Sequence, residues 1–191
     1  MANTKPSSSF LGITDTVAMN TVAQGSVSNA ATLEFTGLTY QYHILKLWDF
    51  LPASASILRL SLSYDNGATW ASDSNHYYTI RYDKTNGGYD SASLAAATEI
   101  NLTPNTDAIS SGSTLNLIMS MEFDRIADAA TKNRYGFTSG AFEPAGYAPV
   151  SFNGAWMNST GSLGDCDGIR LRMSTGNISR CNYKLFGFDN S

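Results

Sequence analysis

The sequence is poor in the residues on which metal sites, disulfide scaffolds and His-based catalysis depend. Its 191 residues include two cysteines, Cys166 and Cys181, and two histidines, His43 and His76. Two thiols do not make a disulfide framework, and two histidines leave a zinc set short of donors. Both cysteines read as reduced, partly buried thiols, and no metal or cofactor is expected. Charge is scarce too: 15% of residues are charged and the net charge is −4. The twelve Lys and Arg are spread singly, so no basic stripe exists to track a nucleic acid. No apolar run reaches the length of a membrane span. The opening stretch MANTKPSSSFLGITDTVAMN has neither the basic start nor the apolar middle of a secretion signal. The expectation is a soluble protein made in a cytosol, with no membrane insertion. There is no repeat of fixed period, which disfavours a propeller.

What the chain does have suits strands and turns. Apolar residues make up 42%, with 16 Gly, 10 Tyr and 9 Phe among abundant Ser, Thr and Asn. Aromatic and β-branched side chains fit a pleated surface, while Gly and Asn fit its turns. The length allows one well-formed core.

Residues 1–31 show little periodicity and read as an extended N-terminal arm, packed on its own domain or on a neighbouring subunit. From Thr32 to Ser191 the pattern is that of a single β-sandwich, jelly-roll-like. Thr32–Thr36 alternates. In Tyr40–Leu47, His43, Leu45 and Leu47 share one face. In Leu58–Tyr64, Leu58, Leu60, Leu62 and Tyr64 point inward, with Arg59, Ser61 and Ser63 outward. His76–Tyr82 is a further strand. Ser91–Glu99 reads as one short helix or a long connection. In Thr114–Phe123, Leu115, Leu117, Met119, Met121 and Phe123 share a side. Arg134–Phe137 and Val150–Trp156 are strands separated by Gly140, Pro144, Gly146 and Pro149. Ile169–Ser174 and Cys181–Phe188 close the chain. Nine or ten short strands at turn-like spacing indicate an all-β sandwich.

The stretch Ser63–Trp70, SYDNGATW, resembles the Asp-box of sialidases and related propeller proteins. In that motif the Asp side chain accepts backbone hydrogen bonds across a tight turn and the Trp packs beneath it. A propeller enzyme would carry one copy per blade, whereas here there is one copy in all. Asp65, Gly67 and Trp70 therefore read as a structural turn, and Asn66-Gly67 as a hairpin signal. Catalytic readings are weaker. A glycosidase needs two placed carboxylates, and sixteen acidic residues permit some pair on paper. Asp165 and Asp167, flanking Cys166, fit a polar turn better than a cation site. His43, in an apolar strand, reads as a packed histidine. No catalytic residue is assigned.

The C-terminal stretch IRLRMSTGNISRCNYKLFGF, Ile169–Phe188, resembles the closing hairpin of a group of tailed-bacteriophage structural proteins. The matching residues are Ser174-Thr175-Gly176-Asn177-Ile178 and Leu185-Phe186-Gly187, with Gly176 and Asn177 as turn residues. Phe35–Leu38, Leu58–Trp70 and Phe152–Trp156 resemble upstream parts of the same domains, in the same order. Arg180 and Cys181 stand where small residues are usual in that group. The resemblance implies a virion component with a jelly-roll domain, of tail-fibre, minor tail or decoration type, assembled in a host cytoplasm. It supplies no catalytic residue.

Under the first reading the protein is a non-enzymatic tail-fibre or receptor-binding component holding host surface polysaccharide. Aromatic stacking with amide and hydroxyl hydrogen bonds would do the holding. The candidate residues are Trp70, Tyr77, Tyr78, Tyr82, Arg134, Tyr135 and Trp156. Alternation puts Tyr77 and Tyr78 on opposite faces, so only one of them can be buried in a one-sided sheet. Under the second it is a head-decoration or head-fibre protein acting through the arm. A glycan-modifying enzyme ranks third. Either of the first two implies other virion proteins as partners and a homo-oligomer, with a trimer as one form.

Overall fold

A computed structural model describes residues 19–72, 76–84, 89–104, 108–112, 116–124, 134–144, 149–158 and 165–188. Among them the chain forms twelve strands and no helix. In order these are β1 (Asn20–Ala30), β2 (Thr32–Thr36), β3 (Tyr42–Pro52), β4 (Leu58–Ser63), β5 (His76–Lys84) and β6 (Tyr89–Ala97). They continue with β7 (Ile100–Asn101), β8 (Leu117–Asp124), β9 (Arg134–Phe142), β10 (Val150–Asn158), β11 (Gly168–Met173) and β12 (Ile178–Phe188). All pairings are antiparallel. One sheet has eight strands in the order β1-β12-β3-β8-β9-β10-β5-β6, and the other has four, β2-β11-β4-β7. The fold is the all-β sandwich that the alternation requires.

The core lies between the two sheets. Leu45, Leu47 and Phe50 of β3 meet Leu58, Leu60 and Leu62 of β4, with Leu117, Met119, Met121 and Phe123 of β8 beside them. The β4 and β8 sets are each one parity of a strand, as a period of two dictates; in β3 the parity changes between Leu47 and Phe50, where the register with β8 shifts and Asp49 takes a positive φ of 50°. Burying a side chain of this size contributes about 1.5–3 kcal/mol. His43 joins them, stacked on Phe123 with ring centroids 5.1 Å apart.

Three connections, β1→β2, β3→β4 and β11→β12, cross between the sheets at the same end of the sandwich. The registers Ala30↔Ile178 and Ile178↔Pro52 bring those ends together. The crossings are tied to one another. Ala53 N donates to Asn177 O (2.9 Å) and Ser174 N to Ile57 O (2.9 Å). The hydroxyls of Ser56 and Ser174 lie 2.9 Å apart, and the Asn177 amide donates to Asn29 Oδ1 (3.0 Å). Gly176 takes a positive φ of 73° there, which only glycine adopts without penalty.

Several expectations change. Residues 20–30 of the expected arm are β1, the edge strand of the large sheet; residues 1–18 lie outside the described residues. Ser91–Ala97 is strand β6, because pairing with β5 outweighs the helix propensity of its alanines. Gly140 lies inside β9, which runs on to Phe142. The Ile169–Phe188 segment is not a hairpin: β11 pairs with β2 and β4, and β12 with β1 and β3. Nor is Asp65-Asn66-Gly67 a hairpin turn, since β4 and β5 belong to different sheets. Ser61 and Ser63, expected outward, are buried. The Ser63 hydroxyl accepts from Gly67 N (2.8 Å), and Ser61 donates to Glu99 (3.3 Å). Leu115 lies outside the described residues.

Candidate functional site on the outer face of the large sheet

One parity of each strand in the eight-stranded sheet faces away from the core, and no described element covers the middle of that face. On β9 the inward residues are Gly136, Thr138, Gly140 and Phe142, leaving Tyr135, Phe137, Ser139 and Ala141 outside. Phe137 is 63% exposed, Ile118 on neighbouring β8 62%, and Tyr135 44%. Isolated exposed apolar residues are ordinary, but a cluster on one sheet face marks an interaction surface.

The registers place polar groups beside these rings. Phe137 lies between Glu122 on β8 and Ala155 on β10, and Ala155 opposite Thr79 on β5. In the next row Ser120, Ser139, Asn153 and Arg81 stand side by side across the same four strands. Short side chains at Ser139, Gly154, Ala155 and Thr79 make a floor, rimmed by Phe137, Glu122, Arg81 and Asn153. The resulting basin measures about 370 Å³. A second basin of about 360 Å³ shares Thr79 and Ala155 and is walled by Tyr77 and Tyr135. A third, of about 470 Å³, shares Ser120 and Ser139 and is walled by Trp48 and Ile118. Together they form one valley running across six strands, roughly 24 Å at the usual spacing between strands.

Two polar groups in the valley are held in place. Tyr42 donates its phenol to a Glu122 carboxylate oxygen. Burial and that bond push the Tyr42 phenol above its ordinary range, so it remains a donor. Lys46 Nζ donates to the Ser120 hydroxyl (2.8 Å). The valley thus offers rings, a guanidinium, an ammonium, a carboxylate, an amide and hydroxyls. These are the group types that stack on sugar rings and hydrogen-bond to hydroxyls.

The sequence-derived candidates divide. Tyr77 and Tyr135 come together as walls of the second basin. Tyr82 is 1% exposed, Tyr78 and Trp156 4%, and all three face the core. They are corrected from ligand platforms to core residues, because Tyr78, Ile80 and Tyr82 share the inward parity of β5 and Trp156 that of β10. Tyr78 accepts a hydrogen bond from the Asn101 amide (2.8 Å). The backbone of Arg134 starts β9, and its side chain lies outside the described residues. Trp70 is half-buried on the opposite side of the molecule, with the Arg170 guanidinium 4.8 Å above its ring. Sequence reading missed Phe137, Arg81, Glu122 and Asn153. The usable signal was Gly136 and Gly140: glycines four residues apart, on one parity of a strand, reserve that face for bulky neighbours and turn Phe137 outward.

The Asp-box residues act structurally. Asp65 accepts from the Thr69 hydroxyl (2.6 Å) and from Thr69 N (2.8 Å), which holds its carboxyl below the ordinary range. Asn66 and Gly67 have positive φ of 59° and 85°, and Asn66 N donates to Asp167 (2.8 Å). On the outer side of the small sheet Glu99 receives Arg59 (3.2 Å) and a two-pronged contact from Arg172. Burial pushes the Cys181 thiol up to about 12, with Asp49 adding to it, so it is no thiolate nucleophile.

No protein-family model matches the chain, and no curated protein does. Among solved structures, the chain aligns with one of infectious bursal disease virus Gt strain at 14% identity and TM-score 0.12, covering 92% of this chain and 42% of that one. For the Gx strain the identity is 15% and the TM-score 0.12, covering 92% and 41%. The chain thus spans less than half the length of either, and similarity this low carries no argument about its fold or role.

Proposed function

We propose that the protein is a non-enzymatic component of a phage virion whose eight-stranded sheet takes a host surface glycan on its outer face, as a tail-fibre or receptor-binding part would. The observation that carries the binding half is the exposed ring of Phe137 beside Arg81, Asn153 and Glu122 in a valley floored by short side chains. An aromatic face with fixed polar arms on a rigid sheet suits sugar rings, which present both C–H faces and hydroxyl edges. The mixed, low charge of the valley suits a neutral or weakly acidic polysaccharide. The virion half rests on the sequence resemblance carried by Ser174–Ile178 and Leu185–Gly187. Immunogold labelling of intact particles, with antibody against residues 32–191, tests the setting. Gold on the tail or its fibres is the expected result. Gold across the head would replace this reading with capsid decoration, and no gold on any particle would remove both.

A further inference from the structure

We infer that the β1 edge of the large sheet is an interaction surface for a second copy of this chain, which adds its own β1 antiparallel. A sheet edge presents a row of backbone N–H and C=O groups that templates pairing with another strand, and folded proteins normally blunt it. Among the described residues the sandwich has four edge strands. β2 has five residues and β7 two. β6 has nine and carries the charge of Asp90, with Ala96 at a φ of 59° and a register shift against β5 between His76 and Tyr78. β1 has a comparable irregularity at each end, Asn29 at a φ of 49° and a register shift between Thr21 and Ala23, but it is the longest of the four and uncharged. It has eleven residues, NTVAQGSVSNA, with no charge and no proline. Its ladder with β12 is regular from Ala23↔Leu185 to Ser28↔Arg180, and no described strand pairs with its far side.

The occupant follows from symmetry and charge. An antiparallel strand pair has a two-fold axis, so β1 is complementary to itself and each copy satisfies the other. A strand without charge meets no like-charge repulsion across that axis. The β1–β1 contact uses the same edge of both copies, so it closes as a dimer with a sixteen-stranded sheet (eight strands from each copy). Exposed Met19 and Val22 lie at the start of the strand, where a partner strand would cover them.

The test uses the full-length chain and a variant carrying Gln24→Glu, Ser26→Glu and Ser28→Glu. These side chains are exposed, and residues 24 and 28 pair with Lys184 and Arg180 on β12. The new carboxylates are therefore matched within one copy and repelled between copies. Sedimentation equilibrium should show a dimer for the natural chain and a monomer for the variant, with the melting temperature of the diluted proteins unchanged. A natural chain that stays monomeric overturns the inference. So does a variant that remains a dimer.

Discussion

Gly136 and Trp156 are paired across β9 and β10, and the indole lies directly over the glycine. A Cβ at position 136 would clash with Trp156 Cζ2 and sit 2.8 Å from the carbonyl oxygen of Glu122. Gly136→Ala should therefore force the indole or the backbone to move, at a cost of about 1–3 kcal/mol for overpacking. Urea denaturation checks this: the midpoint should fall. A second reading of the same variant is functional, since Phe137 is the next residue and its outward aim depends on the strand staying in place.

Glu99 gives the fold a built-in acid sensitivity. Burial alone would raise its carboxyl, but the hydrogen bonds and charge of Arg172, with the charge of Arg59, outweigh that and hold it below the ordinary range. A carboxyl depressed in the folded state contributes stability above its unfolded pKa and loses it as pH falls through the folded one. Melting temperature should fall as pH drops below the ordinary carboxylate range. Glu99→Gln should remove part of that slope and cost about 1–3 kcal/mol at neutral pH, because the two guanidiniums lose their charged acceptor. A parallel pH profile for natural and variant chains would contradict the assignment.

Truncation should distinguish the two parts of the N-terminal region. Deleting residues 1–18 leaves every described strand in the chain and serves as the reference. Deleting residues 1–31 removes β1, exposes the edge of β12 and strips Ala23 and Val27 from the core margin. That chain should melt earlier and aggregate. Equal melting temperatures for the two truncations would mean that β1 adds nothing to the sheet.

These outcomes also show what was legible in the sequence. Leu58, Leu60 and Leu62, or Leu117 through Phe123, announce strands because one parity is apolar throughout. Face assignment fails where both parities are aromatic, as in His76–Tyr82, so Tyr82 passed for a surface ring. Turn chemistry was equally readable: Asp65, Gly67, Gly176 and Asn177 all sit in turns. Which sheet the chain enters after a turn is not local information. It is set by which distant strand covers the next apolar face, and so two apparent hairpins are crossings between layers. Ser91–Ala97 went the same way, its alanines recruited to a strand by β5. The valley was illegible because its floor is built from small residues of three strands, β5, β9 and β10, that meet only in the folded sheet.

The proposed glycan binding on the outer face of the large sheet has a direct test. The direct measurement is calorimetric titration of host surface polysaccharide fragments into the natural chain, Phe137→Ala, Arg81→Ala and, on the other sheet, Glu34→Ala. Phe137→Ala and Arg81→Ala should each weaken binding tenfold or more, a loss of about 1.4 kcal/mol, while Glu34→Ala binds as the natural chain does. Unchanged affinity in both outer-face variants, with the fold intact, would contradict the account.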